Sequence, residues 1–109
     1  MSALYQLSYE GLIGFGHGAL YIGKGLLLGS DAGGGRYRGS YKEENGRLVG
    51  SLSLIASSAS SVAGQPLPSG QVLEIPVDLP LDFADGRYHP MLVGGTHVGI
   101  AFAKIGDIP

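Results

Sequence analysis

Between Gly14 and Tyr41 the chain reads GFGHGALYIGKGLLLGSDAGGGRYRGSY, with glycine and large apolar residues alternating at strand periodicity. Gly16, Gly18, Leu20 and Ile22 share one parity. Leu26 and Leu28 resume after a turn at Gly23, Lys24 and Gly25, and Tyr37, Gly39 and Tyr41 follow the glycine-rich bend at 33–35. Side chains two apart on a strand face the same way, so the stretch predicts three antiparallel strands. Glycine inside a strand weakens it unless the sheet coils sharply or another backbone comes close. Its repetition here therefore points to a tightly closed barrel.

The rest of the chain extends the pattern. Tyr5, Leu7 and Tyr9 alternate with Leu4, Gln6 and Ser8, predicting a strand over 3–11. Asn45-Gly46 tolerates the two positive φ angles of a type I′ turn and predicts a hairpin into Leu48, Gly50, Leu52 and Leu54, whose leucine face points inward. That strand should run to about residue 57. Leu73, Ile75, Val77 and Leu79 alternate again from residue 71, but Pro76 and Pro80 lack the ladder donor, which makes this strand an edge or a bulged one. Asp85-Gly86 marks a turn, and a last hairpin over 88–93 and 98–105 turns at Gly94, Gly95 and Thr96. The reading is a single all-β domain over 1–109, a small up-and-down antiparallel β-barrel of seven or eight strands. Residues 56–71, with their serines and two prolines, break the alternation. They form either a plain loop or a lid in which Val62 and Leu67 cover the open end.

Composition and motifs exclude several classes. A net charge of -2 with seven Lys plus Arg leaves no basic stripe for direct nucleic-acid binding. No cysteine is present, so disulfides and thiolate metal sites are out. The opening residues lack a secretory signal and no window spans a membrane as a helix; the strands are too short for an outer-membrane barrel. We therefore expect a cytoplasmic protein without membrane contact. Gly18 to Lys24 spells GxxxxGK, but Gly25 stands where the Mg²⁺-binding hydroxyl belongs and a strand follows instead of a helix. His17, His89 and His97 fit no metal-ligand spacing, and no Ser-His-Asp constellation or nucleophile elbow is present. No enzyme, cofactor or metal is expected.

The order Gly16-x-Gly18, a Lys-containing turn, an apolar triplet, Gly29-Ser30-Asp31 and then Tyr37-x-Gly39 resembles the GrlR-type negative regulators of type III secretion, most clearly over residues 14–55. The resemblance implies a lipocalin-like β-barrel that forms homodimers and regulates by binding a protein partner, a transcriptional activator. It also implies that the Glu43, Glu44 and Asn45 hairpin binds that partner, Glu43 and Glu44 being the two acids that match. The alternative for the same hairpin is a solubilising tip.

Two surface features and a competing function remain. Leu26, Leu27 and Leu28 are consecutive, so at least one leucine faces outward whichever parity is buried; with Val49 and Ile55 they make the candidate dimer surface. Asp31 either caps its turn by accepting backbone N–H groups or belongs to a ligand or partner surface. The competing function is that of a carrier for a small apolar ligand, since eight-stranded barrels can enclose one. At 109 residues the interior is expected to be filled by side chains.

Overall fold

The computed structural model describes residues 1–11, 14–32, 34–55, 60–62, 65–67 and 72–109. Eight of its strands form one antiparallel sheet: β1 (Ser2–Gly11), β2 (Gly14–Gly23), β3 (Leu26–Asp31), β4 (Arg36–Glu44), β5 (Arg47–Ile55), β8 (Val72–Pro80), β9 (His89–Val93) and β10 (Thr96–Asp107). The other two, β6 (Ser60–Val62) and β7 (Gln65–Leu67), pair only with each other. The sheet order is β8-β5-β4-β3-β2-β1-β10-β9, so neighbours in the chain are neighbours in space and β10 returns to pair with β1. β8 and β9 lie side by side without a ladder, and the barrel closes except for this seam. Pro76 and Pro80 on β8 and Pro90 on β9 belong to the two strands of the seam. A proline nitrogen is tolerated where it faces away from a ladder, so these residues also blunt the exposed edges against pairing with another chain.

Alternation builds the interior. Leu48, Leu52 and Leu54 of β5 and Ile75, Val77 and Leu79 of β8 all point inward and are buried. Gly39 and Gly50 explain how the sheet coils tightly enough to close. A Cβ on Gly39 would overlap the Ser51 carbonyl oxygen, and one on Gly50 would overlap that of Ser40. The paired strands β4 and β5 press together at positions where only hydrogen fits.

Turn length decides which leucine of β3 is inside. Lys24 and Gly25 both have positive φ, 53° and 79°, and form a two-residue turn that pairs Gly23 with Leu26. The expected turn had also included Gly23. One residue fewer flips the parity. Leu27 is consequently in the core at 1% exposure, while Leu26 and Leu28 face out at 49% and 44%. Leu27 thus leaves the candidate dimer surface. At the β4–β5 hairpin Asn45 and Gly46 have φ of 53° and 75°, the geometry that the Asn-Gly pair implies.

Two further differences concern irregular backbone. Within the break over 56–71, Ser60–Val62 pairs with Gln65–Leu67 as a short hairpin, Pro66 opposite Ser61; residues 56–59, 63, 64 and 68–71 lie outside the described residues, as does the expected end of β5 near 57. A proline can sit in a two-stranded ribbon because each strand has a free side. Between β1 and β10 the register shifts: Leu4 opposes Gly106 but Tyr5 opposes Lys104, leaving Ile105 as a bulge. Ile105 is 59% exposed.

Candidate functional site

The barrel has two different ends. One carries both chain termini, the Lys24-Gly25 and Asn45-Gly46 turns and the loop over 81–88 between β8 and β9. Phe83 of that loop fills this end: it is fully buried, with ring centroids 5.0 Å from Tyr5 and 5.1 Å from Phe102, the latter edge-on. The loop is tied to itself. Phe83 N–H donates to the Pro80 carbonyl at 3.1 Å, Arg87 N–H donates to Asp85 Oδ1 at 2.9 Å, and His89 Nε2 lies 3.0 Å from Asp85 Oδ1 and 3.1 Å from the Phe83 carbonyl oxygen. The Arg87 N–H first, and His89 after it, hold the Asp85 carboxyl below its ordinary value. Alternation around the polar run LDFADGR could not identify Phe83 as a core residue; a lone phenylalanine among turn residues was its only signal.

At the opposite end Asp31, the last residue of β3, organises the turn to β4. Its backbone N–H donates to the Gly35 carbonyl at 3.0 Å, while its Oδ1 accepts the Gly35 N–H at 2.9 Å and its Oδ2 accepts the Tyr37 hydroxyl at 2.6 Å. Burial, then the hydrogen bond to Asp31, push the Tyr37 hydroxyl far above the ordinary tyrosine value. Tyr9 is raised in the same sense, first by burial and then by the Asp31 charge. Between this cluster and the Phe83 end the interior retains a cavity of about 50 Å³, walled almost wholly by aliphatic side chains such as Leu20, Leu52 and Val77, with Asp31, Tyr9 and Tyr37 at its polar end.

The remaining sequence-predicted residues are on the outside. Glu43, Glu44 and Asn45 are exposed at the tip of the β4–β5 hairpin. Beside them an open groove of about 340 Å³ is lined by Met1, Lys24, Gly25, Tyr41, Lys42 and Glu43. Val49 and Ile55 face outward from β5 and are half-buried. They do not adjoin Leu26 and Leu28. β4 runs between, and its outward residues are Arg36, Arg38, Ser40, Lys42 and Glu44. The apolar residues that do adjoin are on the other side of β3: Leu28 pairs with Tyr21, Tyr21 with Leu4, and Leu4 borders the Ile105 bulge.

His17 is exposed on β2 and His97 on β10, while His89 is the first residue of β9 and its ring contacts Phe83 and Asp85 of the 81–88 loop. Among the described residues no group of three His, Cys, Asp or Glu could hold a metal ion. The GxxxxGK stretch is a strand ending in a tight turn, with no helix to cradle a phosphate. No helix among the described residues is long and apolar enough to cross a membrane. Comparison with family models, curated proteins and solved structures finds no match to this chain.

Proposed function

We propose that this barrel is a cytoplasmic regulatory protein that works by protein contact and without catalysis, as the resemblance to GrlR-type negative regulators of type III secretion implies. The observation that carries the reading is the contrast between its inside and its outside. Small-molecule sites usually offer ~300–1,000 Å³. About 50 Å³ remains here, because Phe83 and the leucines of β5 fill the interior. The outside, by contrast, leaves large apolar side chains in water. The charged outward residues Arg36, Arg38 and Glu74 against an aliphatic interior also invert the pattern of a membrane barrel, which supports a water-facing role.

Within this reading the chain forms a homodimer through the outer face centred on β1, where Leu4 lies between Tyr21 and the Ile105 bulge. Burying apolar surface at about 25 cal/mol per Å² is what offsets the entropy of association. Glu43 and Glu44 on the hairpin tip face a basic partner, a transcriptional activator. The second reading, carriage of an apolar ligand, has only the small interior cavity to work with, enough for a molecule of a few heavy atoms. Deleting the gene in its host and measuring type III secretion transcripts tests the regulatory reading. Raised transcripts that fall again on complementation are expected; unchanged transcripts would contradict it.

A further inference from the structure

The outward residues of β4 break the charge pattern of the rest of the chain. Arg36, Arg38 and Lys42 lie on one face of one strand, all exposed, with Glu44 following on that face at the hairpin tip, and the three cationic side chains make no ion pair or hydrogen bond with any described residue. Two of the other four cations are paired, Arg47 with Asp78 at 2.5 Å and Lys104 with Asp107 at 2.5 Å, while Lys24 and Arg87 stand singly on separate turns. The outward acids across β5 are both engaged: Glu74 of β8 accepts hydrogen bonds from the Ser51 and Ser53 hydroxyls at 3.2 and 2.7 Å, and Asp78 pairs with Arg47. A protein of net charge -2 thus carries a locally positive face.

The register places apolar side chains on both sides of these cations. Arg38 stands opposite Leu28 on β3, Ser40 opposite Leu26, and Arg36 opposite Ile55 on β5. Leu26 and Leu28 are among the most exposed leucines of the chain. A guanidinium binds a carboxylate through two parallel N–H donors, and more strongly when aliphatic neighbours exclude water. Two arginines two residues apart on a strand are separated by about 6.6 Å, the repeat at which an extended segment presents every second side chain.

From this juxtaposition we infer that the outer face of β4, with Leu26, Leu28 and Ile55 at its borders, docks an acidic segment of a partner protein that carries aliphatic side chains among its carboxylates. A second copy of the chain is the wrong occupant, since a twofold interface on this face would set cation against cation. Nucleic acid is disfavoured because three cations on a chain of net negative charge give few phosphate contacts, and the leucines would gain nothing from phosphate. β4 is also a central strand, so a partner meets side chains and not a free backbone edge. The inference rests on the reading that the chain acts by protein contact, and it adds a second contact, to an acidic segment, apart from the basic one assigned to the Glu43 and Glu44 tip. Arg36 and Arg38 are on β4, three strands round the barrel from β1, so a dimer centred on β1 leaves both guanidinium groups open.

The test uses a short fluorescent peptide of alternating glutamate and leucine, followed by anisotropy against the full chain. Binding should weaken roughly tenfold in the Arg36→Glu, Arg38→Glu double variant and with added salt. A Leu28→Ser variant should also bind less tightly. Should the charge reversal disturb the circular-dichroism spectrum, the Arg36→Gln, Arg38→Gln pair replaces it. Equal binding of a glutamine–leucine peptide would overturn the inference, as would undiminished binding by the arginine variants. Tighter binding of single-stranded RNA or phosphatidylglycerol vesicles than of the acidic peptide would also overturn it. Sedimentation of the same variants separates the two readings: a dimer with no peptide binding rejects the β4 face alone, and peptide binding by a monomer rejects the β1 dimer alone.

Discussion

Tyr37 donates its hydroxyl to Asp31 Oδ2 across 2.6 Å, joining the first inward residue of β4 to the last residue of β3 at the polar end of the interior cavity. The bond locks the turn from the side-chain level, while Gly35 N–H to Asp31 Oδ1 locks it from the backbone. Tyr37→Phe keeps the ring and removes the donor. A hydrogen bond to a charged group contributes about 1.5–3 kcal/mol, so the variant should lose roughly that much stability in denaturant melts near neutral pH.

The same bond sets an alkaline dependence. In the unfolded chain Tyr37 ionises near pH 10. In the native barrel burial, followed by Asp31, holds its proton well above that. Between those limits the unfolded state binds fewer protons than the native state, so stability is complete below about pH 10 and falls as pH rises beyond it. The melting temperature should therefore drop steeply above that point. It should drop less steeply in Tyr37→Phe, although Tyr9 still contributes in the same direction. Equal slopes would contradict the assignment.

Phe83 fills one end of the barrel between Tyr5 and Phe102. Its truncation to alanine should cost about 3–5 kcal/mol, because the surrounding strands cannot collapse into the space. Urea unfolding measures this. A loss under about 1 kcal/mol would mean the loop does not close the barrel.

Gly50→Ala places a methyl group against the Ser40 carbonyl and the Tyr41 backbone. Overpacking of this kind costs about 1–3 kcal/mol where neighbours can shift, and backbone on a central pair of strands yields least. The variant should melt well below the parent. Gly46→Ala, where a side chain meets no atom but must adopt φ of 75°, should lose less.

The hairpin tip predicts a change in binding without a change in stability. Glu43 and Glu44 are exposed, and exposed charges contribute about 0–1 kcal/mol to folding. Replacing both with lysine should leave the melting point nearly unchanged and weaken capture of a basic partner in a pull-down. Capture that survives the reversal would remove the tip from the site.

Most of the barrel was legible because it depends on period-two alternation and on turn chemistry. The inward leucines of β5, the Asn45-Gly46 hairpin and the proline-bearing edge strand β8 follow from both. What escaped depends on single-residue offsets. The sequence left open which parity of Leu26, Leu27 and Leu28 is buried; the two-residue Lys24-Gly25 turn decides it by pairing Leu27 with the inward Ile22, which takes Leu27 off the candidate surface. Ile105 leaves the alternation through a bulge that only the pairing with β1 reveals. The outer faces were the least legible part. Arg36 and Arg38 separate Leu28 from Ile55 once the strands are side by side, and no linear pattern brings those four residues together.

Native mass spectrometry of the chain purified from its own host tests most directly whether it works from its outer surface with a filled interior. The account predicts a dimer whose mass is that of two unmodified chains, turning monomeric on Leu4→Asp. A stoichiometric lipid-sized adduct, or a strictly monomeric species at tens of micromolar, would contradict it.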